Sequence, residues 1–285
     1  MIELTPAQID QFQEDGFLVV ERLIDAPTVN ALRAAMERLF RGEFSTGITP
    51  DEVNWQEQWG DPSLTRQICN AWKADRTVAR TVLRADIARA VATLGGWRGA
   101  RVMIDNILWK PAGTRPLGYH QDSAYLSWYS PPHLLSCWMA LDDTSARGGT
   151  VEFVRGSHRW QQSRPEGEFH GPADYQRAMR EAAAREGVEP EIVYVEVPAG
   201  GGSFHHGWTW HGSGCNEAEQ PRRSVVLHAM PDDVHYDPRN LGAGTGRIYS
   251  RYKRLDDNVM DENHFPILWR QDGYRTPGLD AFLTG

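Results

Sequence analysis

The chain has 285 residues, 40% of them hydrophobic, and a formal net charge of −8, enough length to bury most of its apolar surface in one large domain. The acidic balance and ten scattered histidines leave no basic stripe for nucleic acid. No apolar run follows a basic N-terminal region or approaches the ~20 residues that span a bilayer. Three widely spaced cysteines, Cys69, Cys137 and Cys215, fit a reduced cytoplasmic protein better than a disulfide framework.

Thr5 with Gln8 makes a capping-box pattern for a first helix that Gly16 ends, and residues 17–20 read as a short strand. Pro27 sits near the first turn of a second helix, where Val29, Leu32, Met36 and Leu39 recur at helical spacing. A third helix is expected over 75–94, with Val78, Val82, Ile87, Val91 and Leu94 as its apolar stripe and Gly95-Gly96 as its stop. These helices are expected to buttress a sheet rather than touch a substrate.

Residues 101–109 read as a buried strand, broken by Pro111-Ala112-Gly113. A second strand is expected over 134–141, closed by Asp142-Asp143, and a third over 148–154, leading to Gly156-Ser157-His158. Between Trp160 and Pro190 lies a polar stretch with its own helix near 173–186. The interruption, 161–190, is longer than a usual connection and is expected to act as a lid. A strand over 192–197 and a glycine-rich turn follow, and the aromatic, proline-punctuated tail 231–285 is expected to wrap the core. With no repeat and no dividing linker, residues 1–285 read as one domain.

The chemistry concentrates at His120-Gln121-Asp122 and, far downstream, at Trp210-His211-Gly212-Ser213-Gly214-Cys215-Asn216. If His120 and Asp122 lie on a strand, residues i and i+2 project from one face and can bind a metal from one side. His211 then closes the set from another strand. Two histidines and a carboxylate on one face of an octahedron leave open positions, the arrangement of non-haem Fe(II) oxygenases. A lone H-x-D, however, is common by chance, and His205 and His206 beside the glycine-rich turn are rival ligands.

The run from Trp109-Lys110-Pro111 through Tyr119-His120-Gln121-Asp122, Cys137-Trp138-Met139-Ala140-Leu141-Asp142-Asp143-Thr144 and Gly156-Ser157-His158 resembles the phytanoyl-CoA dioxygenase family. So do His211-Gly212-Ser213-Gly214-Cys215-Asn216, Pro221-Arg222-Arg223 and the opening from Leu4 to Val20. The motifs stand in the family's order over most of residues 4–230. The resemblance implies a mainly β fold with flanking helices, a double-stranded β-helix or jelly roll. It also implies Fe(II) held by His120, Asp122 and His211, with 2-oxoglutarate and O2 as cosubstrates. Only His211 carries the Gly-Ser-Gly-x-Asn sequel, which leaves His205 and His206 outside the metal shell.

A 2-oxo diacid needs a planar, permanently charged partner for its far carboxylate. Arg222 and Arg223 are adjacent and face opposite ways on a strand. Val225, Leu227 and Ala229 share the face of Arg223 and are apolar, whereas Ser224, Val226 and His228 share that of Arg222 and are mixed. The mixed face suits a polar cavity, and the family's arginine falls eleven residues after the distal histidine, at Arg222. Position in the family pattern adds Ser213 and Trp138 as cosubstrate contacts. Ser213 alternatively reads as a turn residue and Trp138 as core. Lys110, before Pro111, suits a carboxylate contact or is simply an exposed lysine at a strand end. Asn216 is expected to orient its loop, and His158 to cap one.

The implied activity is hydroxylation of an unactivated C–H bond of a small, specialised-metabolite or amino-acid-like substrate. A halogenating relative would carry a small residue where this chain has Asp122, so desaturation or cyclisation is the nearer alternative. Tyr125, Trp128, Tyr129, Phe204, Trp208 and Trp210 crowd the metal motifs and suit either an apolar ligand or a packed barrel mouth. A metal-binding jelly roll without turnover and a three-histidine dioxygenase are the rival classes.

Overall fold

The computed structural model describes residues 2–165 and 168–284. Met1 and Gly285, at the ends of the expected domain and tail, and Glu166 and Gly167, within the expected lid, lie outside the described residues.

The capping box forms, with Thr5 Oγ1 accepting from the Gln8 amide and Gln8 Oε1 from the Thr5 amide, so α1 (Pro6–Asp15) begins with orphan donors satisfied. Gly16, at φ +82°, ends it in the left-handed region and turns the chain into β1 (Phe17–Val20). Asp25 caps α2 (Ala26–Phe40), and β2 (Glu52–Val53) and β3 (Arg66–Cys69) follow. The helix expected over 75–94 is two helices, α3 (Arg76–Val82) and α4 (Ala85–Gly95). Between them Arg84 takes an extended backbone, φ −69° and ψ 130°, and its guanidinium engages Asp86 and the Leu23 carbonyl. The apolar stripe survives the break because both halves bury their share of it.

The remaining strands are β4 (Gly99–Lys110), β5 (Leu117–His120), β6 (Tyr129–Ser130), β7 (Leu135–Ala140), β8 (Glu152–Val154) and β9 (Ile192–Tyr194). After these come β10 (Gly202–His206), β11 (His211–Ser213), β12 (Arg222–Pro231), β13 (His235–Tyr236) and β14 (Ile267–Arg270), with α5 (Arg177–Glu186) between β8 and β9. The eight-stranded sheet runs β1-β10-β7-β12-β4-β3-β2, with β14 added to β4, and the four-stranded sheet runs β5-β11-β8-β9.

Two expected strands are shorter than their sequences suggest. The hydroxyls of Thr144 and Thr150 take the Val195 carbonyl, and Thr144 also takes that of Val197, so the β8–β9 ladder stops at Tyr194. The helix expected from 173 starts at Arg177, because the Tyr175 carbonyl is already held by the Tyr119 amide of β5.

Strand alternation sorts the residues of the large sheet. Ile68, Ile107, Cys137, Met139, Phe204, Val225 and Leu227 form one core with the buried stripes of α2, α3 and α4. Phe17, Trp138, Ala140 and Val226 point the other way and meet Val151, Phe153 and Val195 from the small sheet's side. Two antiparallel sheets packed face to face, with α2, α3 and α4 on the outer face of the large sheet and α5 against the small one, make a double-stranded β-helix. In the tail, Tyr236, Tyr249, Met260 and Phe265 pack around Trp128, Tyr129 and Met103. Among the described residues no helix is long and apolar enough to cross a membrane.

Candidate active site

His120 ends β5 and His211 begins β11, and the two are directly paired across the ladder. Cross-strand partners share a face, which brings their rings to a centroid separation of 4.1 Å. Asp122 arrives differently from the expectation. The ladder has no partner beyond the His120–His211 pair, so the chain leaves β5 and Asp122 opens a 3-10 turn, Asp122–Tyr125. Gln121 anchors that turn by donating to the Trp208 carbonyl and accepting from the Ser163 amide. The carboxylate thus reaches the histidines from a strand end and not from the same strand.

Asp122 Oδ1 lies 3.3 Å from His120 Nε2 and 3.6 Å from His211 Nε2. The donor atoms of the three residues fall within 4.8 Å of one another. His120 Nδ1 lies 2.9 Å from the Gly118 carbonyl, and His211 Nδ1 lies 2.9 Å from that of Thr209. A carbonyl only accepts, so each Nδ1 carries a proton and each ring turns its Nε2 inward. Burial and the neighbouring His120 push His211 well below the ordinary imidazole range, which keeps it in this ligand form.

The other carboxylate oxygen is held from behind. Asp122 Oδ2 accepts from Ser136 Oγ at 3.1 Å and from His205 Nε2 at 3.3 Å. Ser136 Oγ is 2.6 Å from His228 Nδ1, and His228 Nε2 is 3.0 Å from Asn106 Nδ2. Burial alone would raise the Asp122 carboxyl, but His211, His228, His120 and His205 outweigh it and hold it well below its usual range. His205 spends its Nε2 on the carboxylate, which explains its place outside the ligand set. His206 points elsewhere, its Nδ1 accepting from the Trp208 amide.

On the same inner face of the large sheet, Lys110 of β4 and Arg222 of β12 are direct cross-strand partners. Like charges so placed repel, and both are buried, at 0% and 3% exposure. Lys110 is therefore not the exposed strand-end lysine of the simpler sequence reading. Its Nζ donates to Ser213 Oγ at 2.6 Å and to the Gly214 carbonyl. Arg222 Nη2 donates to the same Ser213 hydroxyl at 3.1 Å, and Nε and Nη2 reach the Gly149 carbonyl. Gly149 can offer that carbonyl because it turns at φ +64°, where a Cβ would stand 2.8 Å from the carbonyl oxygens of Gly214 and Cys215. Burial and Arg222 push the Lys110 ammonium well below its usual range, and burial pushes Arg222 down to about 10.

Every hydrogen-bond partner of these two cations is neutral. The nearby carboxylate, Glu152, is occupied by Tyr119, Tyr175 and the Gly214 amide. Two buried cations without an anion form a built site for a carboxylate ligand. Arg223 faces away and is neutralised by Asp142 through both carboxylate oxygens.

A cavity of about 70 Å³ joins the two halves, lined by His120, Asp122 and His211 at one end and Arg222, Ser213 and Trp138 at the other. Trp138 forms part of its wall, its ring centroid 5.9 Å from the Arg222 guanidinium carbon. Asn216 stays out of it and fixes the loop, donating to the Lys110 and Gln220 carbonyls. His158 reaches the Gln13 carbonyl, far from this centre.

A second, larger chamber of about 320 Å³ adjoins the small cavity and shares His120, Asp122, Asn106, Phe169 and His228 as lining. Of the aromatic residues that crowd the metal motifs, only Tyr125 lines it; Trp128, Tyr129 and Phe204 are core. Sequence reasoning weighed His205 only as a rival ligand, and it missed Ser136, Asn106 and Phe169 as neighbours of the centre. His228 was within reach, since it shares the mixed face of Arg222.

The profile of the family described as phytanoyl-CoA dioxygenase (PhyH) matches residues 12–224. The peroxisomal phytanoyl-CoA dioxygenase of Homo sapiens is 25% identical over 252 residues, 82% of this chain and 70% of the human protein. The ectoine dioxygenase of Bordetella parapertussis is 25% identical over 91% of this chain and 88% of its own. Among solved structures, the non-haem alpha-ketoglutarate-dependent carbocyclase SnoK from nogalamycin biosynthesis aligns with a TM-score of 0.69 at 24% identity, over 93% of this chain and 96% of that one. The epimerase SnoN, in complex with Fe3+, alpha ketoglutarate and nogalamycin RO, also gives 0.69, at 22% identity over 92% and 97%. At such identities these two likenesses speak for the fold, and the family profile, which spans most of the sequence, decides the membership: the chain belongs to the phytanoyl-CoA dioxygenase family.

Proposed function

We propose that the protein is an Fe(II)- and 2-oxoglutarate-dependent dioxygenase that hydroxylates an unactivated C–H bond of a small molecule. One observation carries this reading: a single cavity links the His120–Asp122–His211 donor set to Ser213 and the buried Arg222, and neither Arg222 nor its cross-strand neighbour Lys110, which shares the Ser213 hydroxyl, has an anionic partner. The donor set fits iron, with two imidazoles and one carboxylate clustered on one side. In this reading His120 Nε2, Asp122 Oδ1 and His211 Nε2 hold the metal. Arg222, Lys110 and the Ser213 hydroxyl take the distal carboxylate of 2-oxoglutarate, and Trp138 walls the cosubstrate in.

Bound iron would supply the oxidation: R–H, O2 and 2-oxoglutarate become R–OH, succinate and CO2. The protein's own part is to orient the ligands, fix the carboxylate and exclude water. A second reading, desaturation, cyclisation or epimerisation at the same centre, draws support from the similarity to SnoK and SnoN. A reduced, cytoplasmic setting suits Cys69 and Cys137, which are buried free thiols.

Iron-loaded protein should convert 2-oxoglutarate slowly to succinate and consume O2 even without substrate. Absence of both, with iron demonstrably bound, would remove the reading in favour of a binding protein. With substrate, a product that gains one oxygen atom marks hydroxylation, and one that loses two hydrogens or keeps its mass marks the second reading.

The lid belongs to this proposal in a narrower form. α5 is held by Met179 and Ala182 against Tyr119, Val154 and Trp210, so it serves as a fixed base. Phe169 stands edge-on to His120, with ring centroids 4.9 Å apart, and shields the metal side from water. Chymotryptic cleavage after Phe169 should be readily detected in metal-free protein and suppressed by Fe(II) with 2-oxoglutarate. Equal cleavage rates with and without ligands would mean that Phe169 is a fixed wall.

A further inference from the structure

The larger chamber carries a charge pattern that bears on the substrate. Asp51 and Glu52 are adjacent, yet the fold treats them oppositely. Asp51 is saturated, with Lys73 at 2.8 Å, Arg251 at 2.7 Å and Tyr252 and Asn70 donating as well. Glu52 pairs with Cys69 across β2 and β3, and Cys69 pairs with Asn106 of β4. This row lies on the inner face, and all three residues line the chamber along with His120 and Asp122.

Glu52 has a hydroxyl donor in Tyr249 and a contact with the Cys69 thiol, but no cation faces it among the described residues. No lysine or arginine lines the chamber, whereas the buried Arg222 lines the small cavity. Asp122 faces the chamber too, but its Oδ1 lies against His120 and His211 and its Oδ2 accepts from Ser136 and His205, so both oxygens are engaged at the metal end. Glu52 is therefore the unmatched carboxylate of the wall. A phosphate or carboxylate placed here would be desolvated without a partner, which is costly. An ammonium would gain a charge-assisted bond to Glu52 and could lie against the rings of Tyr125 and Phe169, both on the wall. At about 320 Å³ the space is at the small end of ligand pockets.

We propose that the chamber selects a compact amine, bound as the ammonium, with Glu52 as the residue that determines this preference. The proposal deepens the dioxygenase reading by naming the substrate class, and its binding test is independent of turnover. The probes are cyclohexylmethylamine, benzylamine and hexylamine, each compared with the alcohol and the carboxylate of the same skeleton, titrated calorimetrically into the full-length protein. Amines should bind about tenfold or more tightly than the matched alcohols, and carboxylates more weakly still.

Glu52→Gln, which keeps an oxygen to accept from Tyr249, should erase the amine preference, and Glu52→Lys should shift it toward carboxylates. Circular dichroism and the thermal midpoint establish that both variants are folded. Equal affinity for amine, alcohol and carboxylate across the panel, or an amine preference that survives Glu52→Gln, overturns the inference. The two readings fail separately. Succinate formation without any amine preference sinks only the substrate class, and a Glu52-dependent amine preference in protein that never forms succinate sinks only the dioxygenase reading.

Discussion

Arg222→Gln should raise the 2-oxoglutarate concentration needed for half-maximal turnover by about thirtyfold or more, while Arg223→Gln leaves it nearly unchanged. Truncating one side of a buried charge-assisted pair typically costs ~2–5 kcal/mol, and ~1.4 kcal/mol is a decade of affinity. The contrast between neighbours follows from their partners. Arg222 offers its guanidinium to neutral groups only, at Gly149, Ser213 and Ser224, and so has charge left for a ligand. Arg223 is already matched by Asp142 at 2.8 Å, with Glu37 at 3.9 Å. Lys110→Met should also weaken 2-oxoglutarate, because its ammonium shares the Ser213 hydroxyl with Arg222. A steady-state titration of 2-oxoglutarate against succinate formation measures all three. A larger loss for Arg223→Gln than for Arg222→Gln would show that the cosubstrate sits elsewhere.

Replacing His120, Asp122 or His211 by alanine should abolish product formation and reduce iron retained after gel filtration to background. The neighbouring histidines should separate from these and from each other. His205→Ala deletes a donor to Asp122 Oδ2 and should lower metal affinity by roughly ten- to hundredfold, the usual cost of losing a group that orients a ligand. His206→Ala touches neither the carboxylate nor the cavity and should retain iron as the parent does. Iron content by atomic absorption, read beside turnover, distinguishes a lost ligand from a misplaced one. Iron lost in His206→Ala but kept in His211→Ala would invalidate the ligand set.

Much of this was legible in the chain because the signals are local. Alternation along 222–229 separates a mixed face from an apolar one without any coordinates, and burial of Arg222 beside the salt-bridged Arg223 follows that split. The capping box at Thr5 and the stop at Gly16 likewise depend on groups within a few residues of one another.

What the sequence could not specify depends on partners distant in the chain. Whether Asp122 continues a strand is decided by where β11 begins, since a strand ends when its ladder partner does. Lys110 looks like a surface residue until β12 lays Arg222 across from it and the Ser213 loop closes over both. Glu52 and Asp51 are indistinguishable in one dimension. Lys73 and Arg251, the latter 200 positions away, neutralise one and leave the other facing the chamber. By itself the chain determined its periodicities, its caps and the residue types able to bind a metal; which charges are buried without a partner was decided only when the sheets assembled, because desolvation and pairing are properties of the packed structure.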